Sequence, residues 1–115
     1  MRHMTEAVLL RIFVGNDDTY EDRPLYEAII EAARDARLAG ATVSRAIAGY
    51  GKSALVHEIL RGFSRDVPVV VEIVDYADKV ETWLQGAAPL LGNALVTVQD
   101  IRVIEFPSTR PVAPV

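Results

Sequence analysis

The chain has 115 residues, of which 50% are hydrophobic and 24% charged, with no cysteine and a formal net charge of −4. That length supports one domain; the apolar share excludes a disordered regulator, and the lack of cysteine excludes a disulfide scaffold. The acidic balance argues against a broad nucleic-acid or anionic-membrane surface, which needs a concentrated basic footprint.

Residues 1–5 lack the apolar core and small-residue cleavage positions of a leader. They are expected to be a flexible terminus or expression remnant, with the domain spanning 6–106. Val8, Leu10, Ile12 and Val14 alternate with Leu9, Arg11 and Phe13, which predicts a strand over 6–14. A polar, turn-rich loop over 15–22 follows, and Pro24 suits the first turn of a helix. Leu25, Ala28, Ile29, Ala32 and Ala36 form an apolar stripe, predicting a helix over 24–38 that stops at Gly40.

A second strand is expected over 41–50, and the valine-rich run 67–75 is the clearest strand, with Pro68 at its beginning. The connector 51–66 reads as a possible hairpin extension with a mobile tip. Asp75 is a plausible N-cap with Asp78 three residues on. The spacing of Val80, Leu84, Ala87, Ala88 and Leu91 predicts a helix over 76–91, its last turns weakened by Gly86 and Pro89. Residues 94–98 and 101–106 read as one last strand with a bulge at Gln99-Asp100. The tail 107–115 holds three prolines and is expected to be irregular.

The order strand, helix, strand, strand, helix, strand is the ferredoxin-like βαββαβ arrangement, an α+β fold whose four-stranded antiparallel sheet carries both helices on one face. The other face would hold Leu9, Phe13, Val70 and Val74 around Arg11 and Glu72, more apolar than a solvated sheet face. Mean hydropathy is +0.18, high for a domain with so much surface per volume. Both features suggest burial against other subunits, with Arg11, Glu72 and either Arg45 or Arg102 pairing across the interface.

No nucleophile elbow, Walker loop, zincin helix or EF-hand loop is present, so the chain reads as a non-enzyme. His57 and Glu58 are too few for a metal site on their own, and Asp17, Asp18, Glu21 and Asp22 read as ordinary turn chemistry. Gly49-Tyr50-Gly51-Lys52-Ser53 is more suggestive: two glycines let backbone N–H groups approach a ligand, and Lys52 and Ser53 suit phosphate. No apolar run nears the ~20 residues of a membrane helix, so a soluble cytoplasmic protein without direct membrane insertion is expected.

The run from Gly40 to Lys52 resembles the segment of PII signalling proteins that leads from the first helix into the base of their T-loop. Leu91-Gly-Asn-Ala-Leu-Val-Thr-Val98 and Ile101-Arg-Val resemble their B-loop and last strand. From Leu9 to Glu105 the chain is more closely similar to the PII-like family known as domain of unknown function 190. The residues that carry this are Leu10 to Gly15, Pro24 to Ala28, Gly40 to Val43, Gly49 to Gly51, His57 and Pro68 to Asp75. The resemblance implies a homotrimer whose intersubunit clefts hold a small anionic effector, an adenine nucleotide in PII proteins, with a transporter or enzyme as target. By position it implies that Thr42, Gly49, Gly51, Lys52, Gly92, Asn93 and Arg102 contact the effector. Leu95 stands where the B-loop has a phosphate-binding lysine, and the connector is shorter than a full T-loop. AMP, ADP, a cyclic dinucleotide or bicarbonate therefore stand beside ATP as candidates. The competing reading is a CutA-like trimer that binds divalent metal through His57, Glu58 and carboxylates.

Overall fold

The computed structural model describes residues 3–47, 49, 67–92 and 94–107. Its strands are β1 (His3–Gly15), β2 (Thr19–Tyr20), β3 (Arg23–Pro24), β4 (Gly40–Arg45), β5 (Pro68–Asp75) and β6 (Leu95–Glu105), and its helices are α1 (Leu25–Asp35) and α2 (Ala77–Leu91). The sheet order is β4-β5-β1-β6 with every neighbouring pair antiparallel. This is the α+β, ferredoxin-like architecture expected from the element order. Period-two alternation drives it: Leu10, Ile12, Val69, Val71 and Ile73 all point to the helix side and are almost fully buried, where they meet Ile29 of α1. From α2, Val80, Trp83, Ala87 and Leu91 close the core.

Several boundaries differ from expectation, each for a local reason. Residues 3–5 belong to β1, pairing with Val103 to Glu105. β4 ends at Arg45, not at 50, because Pro68 begins its partner strand and has no N–H to extend the ladder; its carbonyl accepts the Ala46 N–H at 2.9 Å and pairing stops there. Helix α1 ends at Asp35, well before Gly40. Arg37 takes a left-handed φ of 59°, and the bonds from Leu38 N–H to the Ala33 carbonyl and from Arg37 N–H to the Arg34 carbonyl make a Schellman stop without glycine.

The polar loop after β1 contains a small hairpin, β2 paired with β3. Its tip residues Glu21 and Asp22 have φ of 50° and 64°, the sign pattern of a type I′ turn, which usually carries Asn-Gly. Asp75 is not the N-cap of α2; that position is Tyr76, with no side-chain cap bond. α2 runs through Pro89 to Leu91. The last strand has no bulge: pairing with β1 is unbroken from Leu95 opposite Phe13 to Glu105 opposite His3.

Candidate functional site

The face of the sheet turned away from the helices centres on one polar row. Thr42 of β4 pairs with Glu72 of β5, Glu72 with Arg11 of β1, and Arg11 with Thr97 of β6. Arg11 donates from Nε to Glu72 Oε2 at 3.0 Å and from Nη1 to Gln99 Oε1 at 3.1 Å. Leu9, Phe13, Val70 and Val74 flank this row, all half-buried. Arg11 and Glu72 thus satisfy one another inside a single chain, where pairing across an interface was expected. Arg45 and Arg102, the other candidates for that pairing, lie on the opposite side. Arg45 pairs with Val69 and Arg102 with Glu6, both positions in phase with the helix-facing residues.

Of the seven residues singled out for an effector, Gly51, Lys52 and Asn93 lie outside the described residues, as do His57 and Glu58. The other four are spread along the sheet. Gly49 and Gly92 lie toward one end: Gly49 packs on Pro68, whose partner is Gly15, and Gly92 caps α2 just ahead of Leu95, whose partner is Phe13. The two glycines differ in kind. Gly49 has φ +145°, a conformation side chains rarely adopt, and a Cβ there would lie 3.5 Å from Pro68 Cγ. Gly92 is ordinary right-handed helix with φ −56°. Thr42 is at mid-sheet and exposed on the edge strand. Arg102 lies seven residues beyond Leu95 along β6, about 23 Å at ~3.3 Å per residue.

Sequence reasoning overlooked other side chains. Arg45 Nε donates to Asn16 Oδ1 at 2.7 Å, and its guanidinium stands 5.9 Å from the Tyr26 ring centroid, fixing a cation near the Gly15 end. At the other end, Tyr76 donates its hydroxyl to Glu105 at 2.8 Å. Because β1 lies between β5 and β6, this bond reaches over β1 beside an apolar hollow of about 270 Å³ that includes Ala7, Gly40, Val74 and Val103. A Cβ on Gly40 would meet none of the described residues within 4 Å. The Glu105 carboxylate, by hydrogen bond and then by charge, raises the Tyr76 phenol above its ordinary value. A second hollow, about 410 Å³, lies where Arg102, Glu6 and Asp100 meet the start of α2 at Ala77.

Asp75 ties the neighbouring elements together. Its carboxylate accepts the N–H groups of Tyr76 at 2.7 Å and Ala39 at 2.9 Å and pairs with Lys79 at 3.3 Å. Burial is the largest single influence and would raise its pKa, but those three donors together outweigh it and hold the carboxyl below the ordinary value. Lys79 also donates to the Arg37 carbonyl at 3.1 Å, so the entry to β4, and with it Gly40 to Thr42, is anchored to α2 through Asp75 and Lys79. Among the described residues no group of three or more His, Cys, Asp or Glu side chains could hold a metal ion, and no helix is long and apolar enough to cross a membrane.

Comparison with known proteins places this geometry in a family. A UPF0166 protein of Aquifex aeolicus is 41% identical over 98 residues, covering 84% of this chain and 91% of that one. Among solved structures, the apo form of CPII from Thiomonas intermedia, a nitrogen regulatory PII-like protein, superposes with a TM-score of 0.65 at 17% identity, covering 91% of this chain and 99% of CPII. CPII bound to ADP and bicarbonate gives 0.64 at 18% identity, covering 88% and 91%. A putative PII-like signalling protein of Thermus thermophilus gives 0.58 at 14% identity, covering 87% and 90%. Residues 7–103 match the family model DUF190, Uncharacterized ACR, and the chain belongs to that family, with a PII-like ferredoxin-like fold.

Proposed function

We propose that the protein is a PII-like regulator: a homotrimer that binds a small anionic effector, an adenine nucleotide, in clefts between subunits and signals through the 51–66 connector to a transporter or enzyme. The observation that carries this reading is the separation of the candidate residues. Gly49 and Gly92 lie toward one end of the sheet and Arg102 far along β6 toward the other, so one copy does not gather them around one ligand. A second copy can.

Two further features support it. The outer sheet face is apolar with its central charges neutralised within the chain, so burying it against another copy strands no lone charge. Gly40 and Val74 line an open apolar hollow two residues from Thr42, a wall suited to the flat face of a base. CPII, of the same fold, has been solved with ADP and bicarbonate.

The test is native mass spectrometry of freshly purified protein, followed by calorimetry with ADP, AMP and bicarbonate. The expected result is a trimer that binds ADP or AMP, with affinity reduced about tenfold or more by Lys52→Ala, the loss of one charge-assisted hydrogen bond. A monomer that binds none of the three overturns the reading.

A further inference from the structure

The helix layer carries a groove that the effector cleft does not use. Glu27, Glu31 and Asp35 stand at successive four-residue steps on α1, so they share one face, and like charges at that spacing weaken a helix. Asp35 is also in the last turn, where the helix dipole favours a cation. Among the described residues only Arg23 pairs with any of them, at 2.6 Å from Glu31. Facing this row, α2 presents Gly86 and Pro89, both poor helix formers. Nothing among the described residues calls for a glycine there: a Cβ on Gly86 would meet none of their atoms within 4 Å. The unfavourable choices of both helices converge on one groove of about 290 Å³, floored by Ala32, Gly86, Pro89 and Leu90 and rimmed by Glu21, Glu31 and Asp35.

We propose that this groove docks a basic segment of a protein partner. Its rim sets three carboxylates against one arginine, so charge complementarity selects lysine or arginine heads. Its apolar floor suits their aliphatic stems, which lie along apolar surface while the charged end stays at the rim. The open space over Gly86 admits the approaching chain. The partner's charges supply what the α1 carboxylate row lacks among the described residues.

A fluorescein-labelled peptide alternating arginine with alanine and leucine, and a counterpart with glutamate for arginine, provide the probes. The arginine peptide is expected to bind the intact protein, more weakly as salt rises, and the glutamate peptide not to bind. Gly86→Leu fills the groove without strain and adds a better helix former, so it should keep or raise Tm while weakening the arginine peptide at least tenfold. The pair Glu21→Lys and Asp35→Lys, both on the rim, should weaken it similarly. The proposal is overturned if both peptides bind alike, if folded Gly86→Leu binds as wild type does, or if spermidine binds as tightly as the peptide. Self-association lost in Gly86→Leu would also overturn it, by assigning the groove to a second copy.

Discussion

Arg11 and Glu72 are direct cross-strand partners, Nε to Oε2 at 3.0 Å, at the centre of the sheet face turned away from α1 and α2. Their side chains are 39% and 34% exposed in the single chain, so solvent screens the pair and it contributes at most about 1 kcal/mol there. Burial under another copy changes the arithmetic. Removing one member then leaves an uncompensated charge, at about 3–5 kcal/mol, whereas replacing both by apolar residues is close to neutral. Glu72→Ala is therefore expected to dissociate the proposed trimer, and the double change Arg11→Met with Glu72→Val to retain it, as read by sedimentation over a concentration series. Equal behaviour of the two variants would argue that the face stays open to water.

Gly49 and Gly92 should separate under alanine substitution. Gly49 at φ +145° lies where a side chain is strained, and Gly49→Ala is expected to cost about 1–3 kcal/mol in urea unfolding. Gly92 is in ordinary helical conformation, with its added Cβ at 3.7 Å from the Ala88 carbonyl oxygen, so Gly92→Ala should shift stability by less than about 0.5 kcal/mol. An effector that needs close backbone approach at Gly92 would show itself as weakened binding with unchanged stability.

The contrast with Arg102 shows what was legible in the sequence and what was not. The alternation in 6–14 and 67–75 assigned Arg11 and Glu72 to the outer face, because both strands have a buried side that fixes the phase. β6 is an edge strand, and Val98 remains 64% exposed on the helix-facing side, so its pattern carries less information. Gln99 and Asp100 therefore looked like a bulge. One inserted residue reverses the face of every residue after it, which transferred Arg102 to the wrong side. The hairpin at Glu21 and Asp22 was illegible for another reason: its left-handed φ values occur without the glycine or asparagine that announces such turns. Lost with it was the acidic groove, which needs the hairpin, α1 and α2 assembled before its carboxylates adjoin.

Asp75 makes stability depend on acid. Its folded pKa lies below the ordinary value, so the unfolded chain takes up the proton first. Its contribution is complete above the unfolded pKa, about 3.9, and is lost as pH falls through that value toward the folded one. Asp75→Asn should be less stable at neutral pH by about 1–3 kcal/mol, since the lysine partner and one backbone donor lose a charged acceptor. Its stability should also fall less steeply than wild type below pH ~4. Urea midpoints measured from neutral to acid pH decide this, and parallel curves would assign the acid loss to other carboxylates.

The proposed cleft between subunits makes a prediction that no single-chain site shares. If Thr42 and Lys52 act from one copy and Arg102 from its neighbour, Lys52→Ala and Arg102→Ala each damage every cleft of a homotrimer. Refolding the two variants together gives mixed trimers in which some clefts join a copy with native Lys52 to a neighbour with native Arg102, while the reciprocal clefts carry both lesions. Mixing should therefore restore a fraction of tight ADP sites, seen in calorimetry as a substoichiometric class with wild-type affinity. Were both residues supplied by one chain, every cleft would keep a single lesion and mixing would restore nothing. The distance along β6 favours the first outcome: Arg102 lies seven residues beyond Leu95, the first residue of the strand after Gly92, and about 23 Å of rigid strand, at ~3.3 Å per residue, cannot fold back on itself to bring both ends to a ligand of nucleotide size.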